Sequence, residues 1–358
     1  MKNAAMIGCG DVSTVHAEAL DALGSELGIN FVAVVDQDIA IAQDFAARTG
    51  VRAFSSLKEL FDASTPAAAS SSAEADAVVD TVAGTVPDID VLHITTPHDQ
   101  HIDLAIEALE HGVAVILEKP LAHELDAAQR LINYLDSHPD SPKIAVCYQN
   151  RYNVSSEKLR HLLDSGDLGQ VNGAYASVVW TRTPGYYTQK PWRGQQNRSG
   201  GGLLMNQAIH TLDLLQWFLG PATEITGRVS TDKYRHVVDV EDTAHAYIGH
   251  DSGIHTSFYG TLTNSRHRHV EIELDCENAL VELRDGLTVN WSDGRVERFE
   301  ERTQETEGRS YWGVSHELLI RDFYEHLDDP EPFWIGPHEA MASLNIAKAI
   351  YAASEAAS

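Results

Sequence analysis

The feature that most restricts what this chain can fold into is a glycine turn set between a short apolar strand and a helix. Ala4 to Ile7 is apolar, Gly8-Cys9-Gly10-Asp11-Val12-Ser13 follows, and Thr14 to Leu23 has helical periodicity. This is a G-x-G-x-x-S version of the dinucleotide loop. Its first glycine allows the tight turn, and its second lets backbone approach a pyrophosphate at a helix N-terminus. Ser13 stands where a third glycine is usual. Phe31 to Val35 reads as a second strand and ends in Asp36. A carboxylate at that strand end is placed to hold the adenosine ribose hydroxyls. Gln37 and Asp38 come next, with no arginine to meet a 2′-phosphate, which favours NAD over NADP. The loop reading assigns Gly8, Gly10, Asp11, Val12, Ser13 and Asp36 to the cofactor.

Strands and helices continue to alternate. Ala40 to Thr49 reads as helix, Val51 to Phe54 as strand and Ser56 to Phe61 as helix. Ala63 to Thr85 is rich in Ala, Ser and Asp and reads as a surface insertion, with a marginal helix over Ala73 to Val82. Val91 to Thr95 is the fourth strand, closed by the turn Thr95-Thr96-Pro97-His98, and Gln100 to His111 is an amphipathic helix. Val113 to Leu117 is a fully apolar fifth strand, and charge then appears abruptly as Glu118-Lys119 before Pro120. In open α/β sheets ligands sit at the carboxyl ends of strands, so Lys119 is placed to do chemistry. Glu124 to Ser137 and Lys143 to Tyr148 supply another helix and a sixth strand. The sum is a doubly wound parallel sheet over residues 1–150, with Lys119 towards the nicotinamide end of the cofactor.

The pattern changes near Arg151. A helix at Ser156 to Ser165 leads into a strand, Val171 to Arg182, and then an irregular loop, Thr183 to Ser199. That loop carries Tyr187, Trp192 and Arg193, a set suited to a sugar or a carboxylate through stacking and a guanidinium fork. Gly200-Gly201-Gly202 then precedes a helix to Leu219, on which Asn206, His210 and Asp213 stand at i, i+4 and i+7 and would share one face. Six strand-like runs from Glu224 to Trp291 follow, and helices at Ser315–Leu327 and His338–Ala353 close the chain. The expected second domain, 151–358, is therefore an α/β unit with a large, mostly antiparallel open sheet. The last helix is a candidate to pack back on the first domain. Arg266-His267-Arg268-His269 has no acid or thiolate partners in sequence and is read as structural, so no metal site is expected.

Composition bounds the partners. The chain has 53 acids against 26 bases, a formal charge of −27, which argues against nucleic acid and anionic membranes. Cys9, Cys147 and Cys276 are too few and too scattered for a disulfide framework, which fits a reducing cytoplasm. The glycine loop begins by Gly8, leaving no room for a signal peptide before it, and no apolar run approaches a membrane span.

Gly8-Cys9-Gly10 with His16, Thr95-Thr96-Pro97 with His101, Glu118-Lys119-Pro120, and Gly200-Gly201-Gly202 with His210 and Asp213 together resemble the Gfo/Idh/MocA family. The resemblance spans nearly the whole chain. It implies an NAD(P)-dependent oxidoreductase acting on a hydroxyl or keto carbon of a sugar, cyclitol or nucleotide-sugar. It also implies homodimers or homotetramers formed through the C-terminal sheet. Carried over residue by residue, it makes Lys119 and His210 catalytic, places Asn206 and Asp213 at the substrate, and adds Thr95, Thr96, Pro97, His98, His101, Glu118 and Lys119 to the cofactor cleft. The aspartate common four residues before the histidine is Asn206 here, which puts an acid-base role at that position in doubt. The family also contains dinucleotide-binding regulators without turnover and glycosidases that use NAD for transient oxidation.

Overall fold

A computed structural model describes residues 1–65, 85–302 and 313–357. The chain forms two compact units. The first takes Met1–Glu118, Arg130–Cys147 and the described part of Thr306–Pro337; the second takes Lys119–Gln129, Tyr148–Glu305 and His338–Ser358. The Glu118-Lys119 peptide is thus one of the points where the chain passes from one unit to the other, and the last helix, Pro337–Ala356, lies almost wholly in the second.

The first unit is built on β1 (Lys2–Ile7), β2 (Ile29–Val35) and β3 (Arg52–Phe54), a small parallel pair β4 (Ser64–Thr65) and β5 (Val86–Pro87), then β6 (Val91–Ile94), β7 (Ala114–Leu117) and β8 (Ile144–Val146). The main sheet is parallel with strand order β3-β2-β1-β6-β7-β8, the doubly wound arrangement expected. Every residue of β6, β7 and β8 is buried, as strands covered on both faces must be. Met6, Ala17, Val34, Phe45 and Ala46 form one of its core clusters. The helix Gly313–Glu325, far away in sequence, packs along the first helix, Asp11–Leu27. Arg321 Nη2 bonds Glu26 Oε2 there at 2.9 Å. Residues 66–84, which hold most of the stretch read as an insertion and its marginal helix, lie outside the described residues.

The second unit carries β9 (Val171–Val179), β10 (Ala222–Ser230), β11 (Thr243–His250), β12 (His255–Thr261), β13 (Glu271–Cys276), β14 (Ala279–Leu283), β15 (Leu287–Trp291) and β16 (Val296–Phe299). They form one open sheet in the order β10-β11-β12-β9-β13-β14-β15-β16, antiparallel throughout except where β12 meets β9. The large, mostly antiparallel open sheet is as expected, with one strand more than sequence pattern revealed. Val-Glu-Arg-Phe of β16 has little apolar alternation because it is an edge strand, where charge is the usual protection. Side chains on one face alternate with exposed Tyr175, Tyr247 and Tyr259 on the other.

Two local features differ from the sequence reading. The expected irregular loop contains short helical turns at Pro184–Thr188, Pro191–Gly194 and Gln196–Ser199. The helix after the glycines opens with a π-helical turn, Leu204–Ala208, before α-helix resumes at Ile209–Leu219. A π turn adds a residue per turn, so Asn206 is shifted from the register its spacing implied with His210 and Asp213, which follow it on the α-helix.

Candidate active site

In the first unit the glycine loop is tied down from below. Gly8 has φ +94°, and a Cβ there would sit 2.8 Å from the Thr95 backbone. The Thr95 hydroxyl donates to the carbonyls of Ile7 (3.0 Å) and Gly8 (2.6 Å). Ser13 is buried and its hydroxyl donates to the Gly10 carbonyl, so it closes the loop where a third glycine is usual. His101 is buried and bonds the Thr96 carbonyl at 3.1 Å, with the buried His98 ring 5.6 Å from its own. Thr95 and His101 therefore brace the turns rather than face solvent.

Beside this scaffold lies a cleft of ≈ 400 Å³ lined by Gly8, Asp36, Gln37, Thr96, Pro97 and Lys58, among others. Three observations make it fit a dinucleotide. A Cβ on Gly10 would meet no protein atom within 4 Å, so nothing in the fold itself demands glycine there. Asp36 stands at the end of β2, its Oδ2 accepting the Cys9 N–H at 2.9 Å and its Oδ1 the Asp38 N–H at 3.0 Å. Thr96 Oγ1 is buried without a hydrogen-bond partner among the described residues. Lys58 is a cation at this cleft that sequence reading did not single out, but its ammonium is engaged by Asp62. Cys9 is no nucleophile: burial, then the Asp36 charge, pushes its thiol up to about 12.

Glu118, expected at the cofactor, faces inward instead. Its Oε1 lies 3.1 Å from both His16 Nε2 and His316 Nε2. His16 Nδ1 meets His93 Nδ1 at 2.9 Å, and His93 Nε2 meets the Tyr324 hydroxyl at 3.1 Å. One tautomer set satisfies every contact: Tyr324 donates to His93, His93 to His16, and His16 and His316 both to Glu118. Burial holds His16 and His93 below the ordinary imidazole range, the Glu118 bond only partly opposing it at His16. Burial pushes Glu118 up, but the hydrogen bonds donated by His16 and His316 outweigh it and keep its carboxyl well below the usual range.

In the second unit Lys119 is half-buried, and its Nζ donates to the Asn206 carbonyl at 3.1 Å. The Asn206 amide nitrogen donates to Gly201 O and Gly202 O, both at 3.1 Å. His210 is half-buried, its ring edge-on to Tyr148 with centroids 5.9 Å apart. Gln207 Nε2 donates to the Tyr186 hydroxyl at 2.8 Å, while its Oε1 is buried without a partner among the described residues. Arg193 lies over Tyr186 at 4.4 Å and near the half-buried Trp192 at 5.9 Å.

Two expected substrate residues are placed otherwise. Asp213 is 1% exposed and grips Arg151 in a bidentate pair, Oδ2 to Nε at 2.8 Å and Oδ1 to Nη2 at 2.7 Å. Its carboxylate is fully engaged inside the unit and presents nothing to a ligand. Tyr187 packs its ring into a core cluster with Tyr234, Val238 and Val240, and burial raises its phenol pKa.

The triple glycine has its reason within the fold. A Cβ would lie 2.0 Å from His123 O at Gly200, 1.9 Å from Tyr351 Oη at Gly201 and 1.9 Å from Glu241 O at Gly202. The chain passes close to its own backbone and to the hydroxyl of the half-buried Tyr351. Glu241, missed in sequence, anchors the π turn: its carboxylate accepts Gly202 N–H at 2.7 Å, Leu204 N–H at 2.8 Å and the Tyr351 hydroxyl at 2.8 Å. No local pattern signals this, because the partners are 39, 37 and 110 residues away.

Residues 2–141 match the oxidoreductase family model with the NAD-binding Rossmann fold, and residues 156–282 match the GFO/IDH/MocA C-terminal domain. A protein of Amycolatopsis mediterranei, provisionally named as a UDP-kanosamine synthase oxidoreductase subunit, is 27% identical over 259 residues. That match covers 67% of this chain and 63% of that protein. The inositol 2-dehydrogenase of Leifsonia xyli is 27% identical over 213 residues, covering 60% of this chain and 52% of that one. The chain thus spans about half to two thirds of the length of these relatives. The WlbA dehydrogenase of Bordetella pertussis, solved with NADH and UDP-GlcNAcA, superposes with TM-score 0.79 at 25% identity over 99% of this chain and 97% of that one. A levoglucosan dehydrogenase structure shares the fold with TM-score 0.81 at 19% identity, over 100% and 98% of the two chains. With both domain models matched in order along one sequence, the chain belongs to the Gfo/Idh/MocA family of oxidoreductases.

Proposed function

We propose that this protein is an NAD-dependent dehydrogenase or reductase acting on a hydroxyl or keto carbon of a sugar, cyclitol or nucleotide-sugar. The observation that carries this is Lys119, held at the end of an apolar strand with its ammonium on the Asn206 carbonyl, in the same unit as His210. NAD would be held in the first unit by Gly8, Gly10, the N-terminus of the helix Asp11–Leu27 with Val12 and Ser13, Asp36, Thr96 and Pro97. When bound, it supplies a hydride acceptor or donor. Asp36 favours the free ribose diol over a 2′-phosphate by charge.

The chain's own part is to place the substrate and move a proton. An alcohol oxygen must lose its proton as hydride leaves carbon. His210 takes that proton, imidazole being the side chain that titrates nearest neutral pH. Lys119 stabilises the developing alkoxide. Asn206 spends its N–H groups on two glycine carbonyls, which leaves its Oδ1 to accept a substrate hydroxyl and makes it a binding group only. Arg193 and Trp192 flank the substrate. The exposed tyrosine-bearing face of the open sheet supports assembly into a homodimer or homotetramer. The cysteine-poor composition, and the absence of any membrane-crossing helix among the described residues, support a cytoplasmic setting.

The test is a screen of sugars, inositols and nucleotide-sugars with NAD, followed at the NADH absorbance, and repeated with Lys119→Met on the substrate found. Turnover should fall by about 10² to 10⁴, as for a positioned acid-base group. NAD affinity should stay within a few-fold. Near-normal turnover in Lys119→Met would remove Lys119 from the chemistry.

A further inference from the structure

We infer that the substrate carries an anionic group, a carboxylate or a phosphate, and that Arg182 and Trp180 form its receptor. This rests on the function proposed above and adds residues and a charge requirement to it. Trp180 and Arg182 follow β9 and are held by the backbone of the neighbouring segment. Trp180 N–H donates to Thr261 O at 2.8 Å, Arg182 N–H to Leu262 O at 2.9 Å, and the Tyr234 hydroxyl donates to Arg182 O. The guanidinium is then fixed by stacking, 5.1 Å from the Trp180 ring and 4.9 Å from the Tyr186 ring. Its hydrogen bond within the protein is a 3.2 Å one from Nη1 to the Thr181 carbonyl. Arg182 Nε and Trp180 Nε1 are both buried without a hydrogen-bond partner among the described residues.

Three physical points turn this into a ligand site. Both orphan groups are donors only, so what completes them must be an acceptor. Leaving buried donors unmade is costly, and neighbouring orphans in a native fold call for an explanation. Arg182 has no carboxylate partner among the described residues, although acids outnumber bases 53 to 26 in the chain.

The receptor is joined to the reacting groups by a short series of contacts. The Tyr186 hydroxyl accepts from Gln207 Nε2 at 2.8 Å. The residue before Gln207 is Asn206, whose carbonyl holds Lys119 Nζ. An anionic substituent on Arg182 would thus fix one end of a sugar while its hydroxyl meets Lys119 and His210. Entry displaces the exposed His267 ring, which stacks on Trp180 at 4.8 Å.

Binding can be read without turnover, by calorimetry on the NAD-loaded protein with D-glucose, D-glucuronate, glucose 1-phosphate and UDP-glucuronate. One or more of the three anions should bind at least tenfold tighter than glucose. Glucuronate alone preferred over glucose identifies a carboxylate, and glucose 1-phosphate alone a phosphate. Arg182→Gln should remove about 10- to 100-fold of that preference, the value of a charge-assisted hydrogen bond, and leave glucose and NAD binding unchanged. Trp180→Phe keeps the ring, loses the N–H, and should weaken the anions several-fold without affecting glucose, so it tests the receptor even if Arg182→Gln folds poorly. Equal affinity for glucose and all three anions, or an anion preference that survives both substitutions, overturns the inference. Anion binding at Arg182 with no NADH formed from any substrate would instead count against the dehydrogenase reading alone.

Discussion

Asp213→Asn separates a substrate residue from a structural one. The Asp213 carboxylate and the Arg151 guanidinium are each 1% exposed and share two short bonds, at 2.7 and 2.8 Å. Burial alone would lower the Arg151 pKa, but Asp213, with Glu339 behind it, raises it instead, so the guanidinium stays charged. Taking the charge from Asp213 leaves that cation with Glu339 Oε1 at 2.9 Å, on a side chain 39% exposed and so a weaker partner. Breaking one side of a buried pair costs about 3–5 kcal/mol. At roughly 2–4 °C per kcal/mol for a unit of this size, the apparent melting temperature should fall by about 6–20 °C. Circular dichroism or calorimetric melting reads the loss, and KM for the identified substrate should change less than about threefold. The double variant Arg151→Met with Asp213→Leu should recover most of it, because apolar replacement of a whole buried pair is near neutral. An Asp213→Asn protein that melts within about 2 °C of the parent and shows a tenfold higher KM would refute the structural assignment.

Four further outcomes are expected. His16 and His93 are neutral in the fold and charge more readily once unfolded, so the unfolded chain takes up more protons below about pH 6.5. Stability should be full above that pH and fall below it by up to about 1.4 kcal/mol per pH unit for each histidine, with Glu118 adding to the loss below about pH 4.3. Urea midpoints measured from pH 8 to 5 should therefore slope downwards, and less steeply in His93→Phe; a flat profile in the parent protein contradicts the network. Gly200→Ala, with φ +74° and a Cβ 2.0 Å from His123 O, should cost roughly 2–5 kcal/mol. Gly10→Ala, with open space at its Cβ, should change stability by no more than about 0.5 kcal/mol. It should nevertheless weaken NAD by about tenfold or more, and normal NAD affinity there would mean that the loop does not meet the pyrophosphate. Asp36→Ala should narrow the preference for NAD over NADP by about one to two orders of magnitude, read by fluorescence titration; tighter NADP binding to the unaltered protein would contradict the ribose role.

What the sequence determined by itself was local and periodic. The strands and helices of the first unit, the glycine turn with Asp36 after β2, and Lys119 after β7 all follow from apolar period and turn residues within a few positions of one another. The alternation sufficed for a parallel doubly wound sheet because its inner strands β6 and β7 had to be buried on both faces. Tertiary structure decided the identity of partners across long separations. Asn206, His210 and Asp213 had helical spacing, but the π turn at Leu204–Ala208 shifts Asn206 out of that register, and Arg151, 62 residues away, claims Asp213. Nothing near the three glycines in sequence shows what they meet; the fold brings them against His123, Tyr351 and Glu241. Glu118 stood beside Lys119 in sequence, while its hydrogen bonds come from His16 and His316, 102 and 198 residues away. Periodicity reports which face of an element is buried; which buried polar group meets which depends on chain closure, and no window of sequence contains both ends of such a bond.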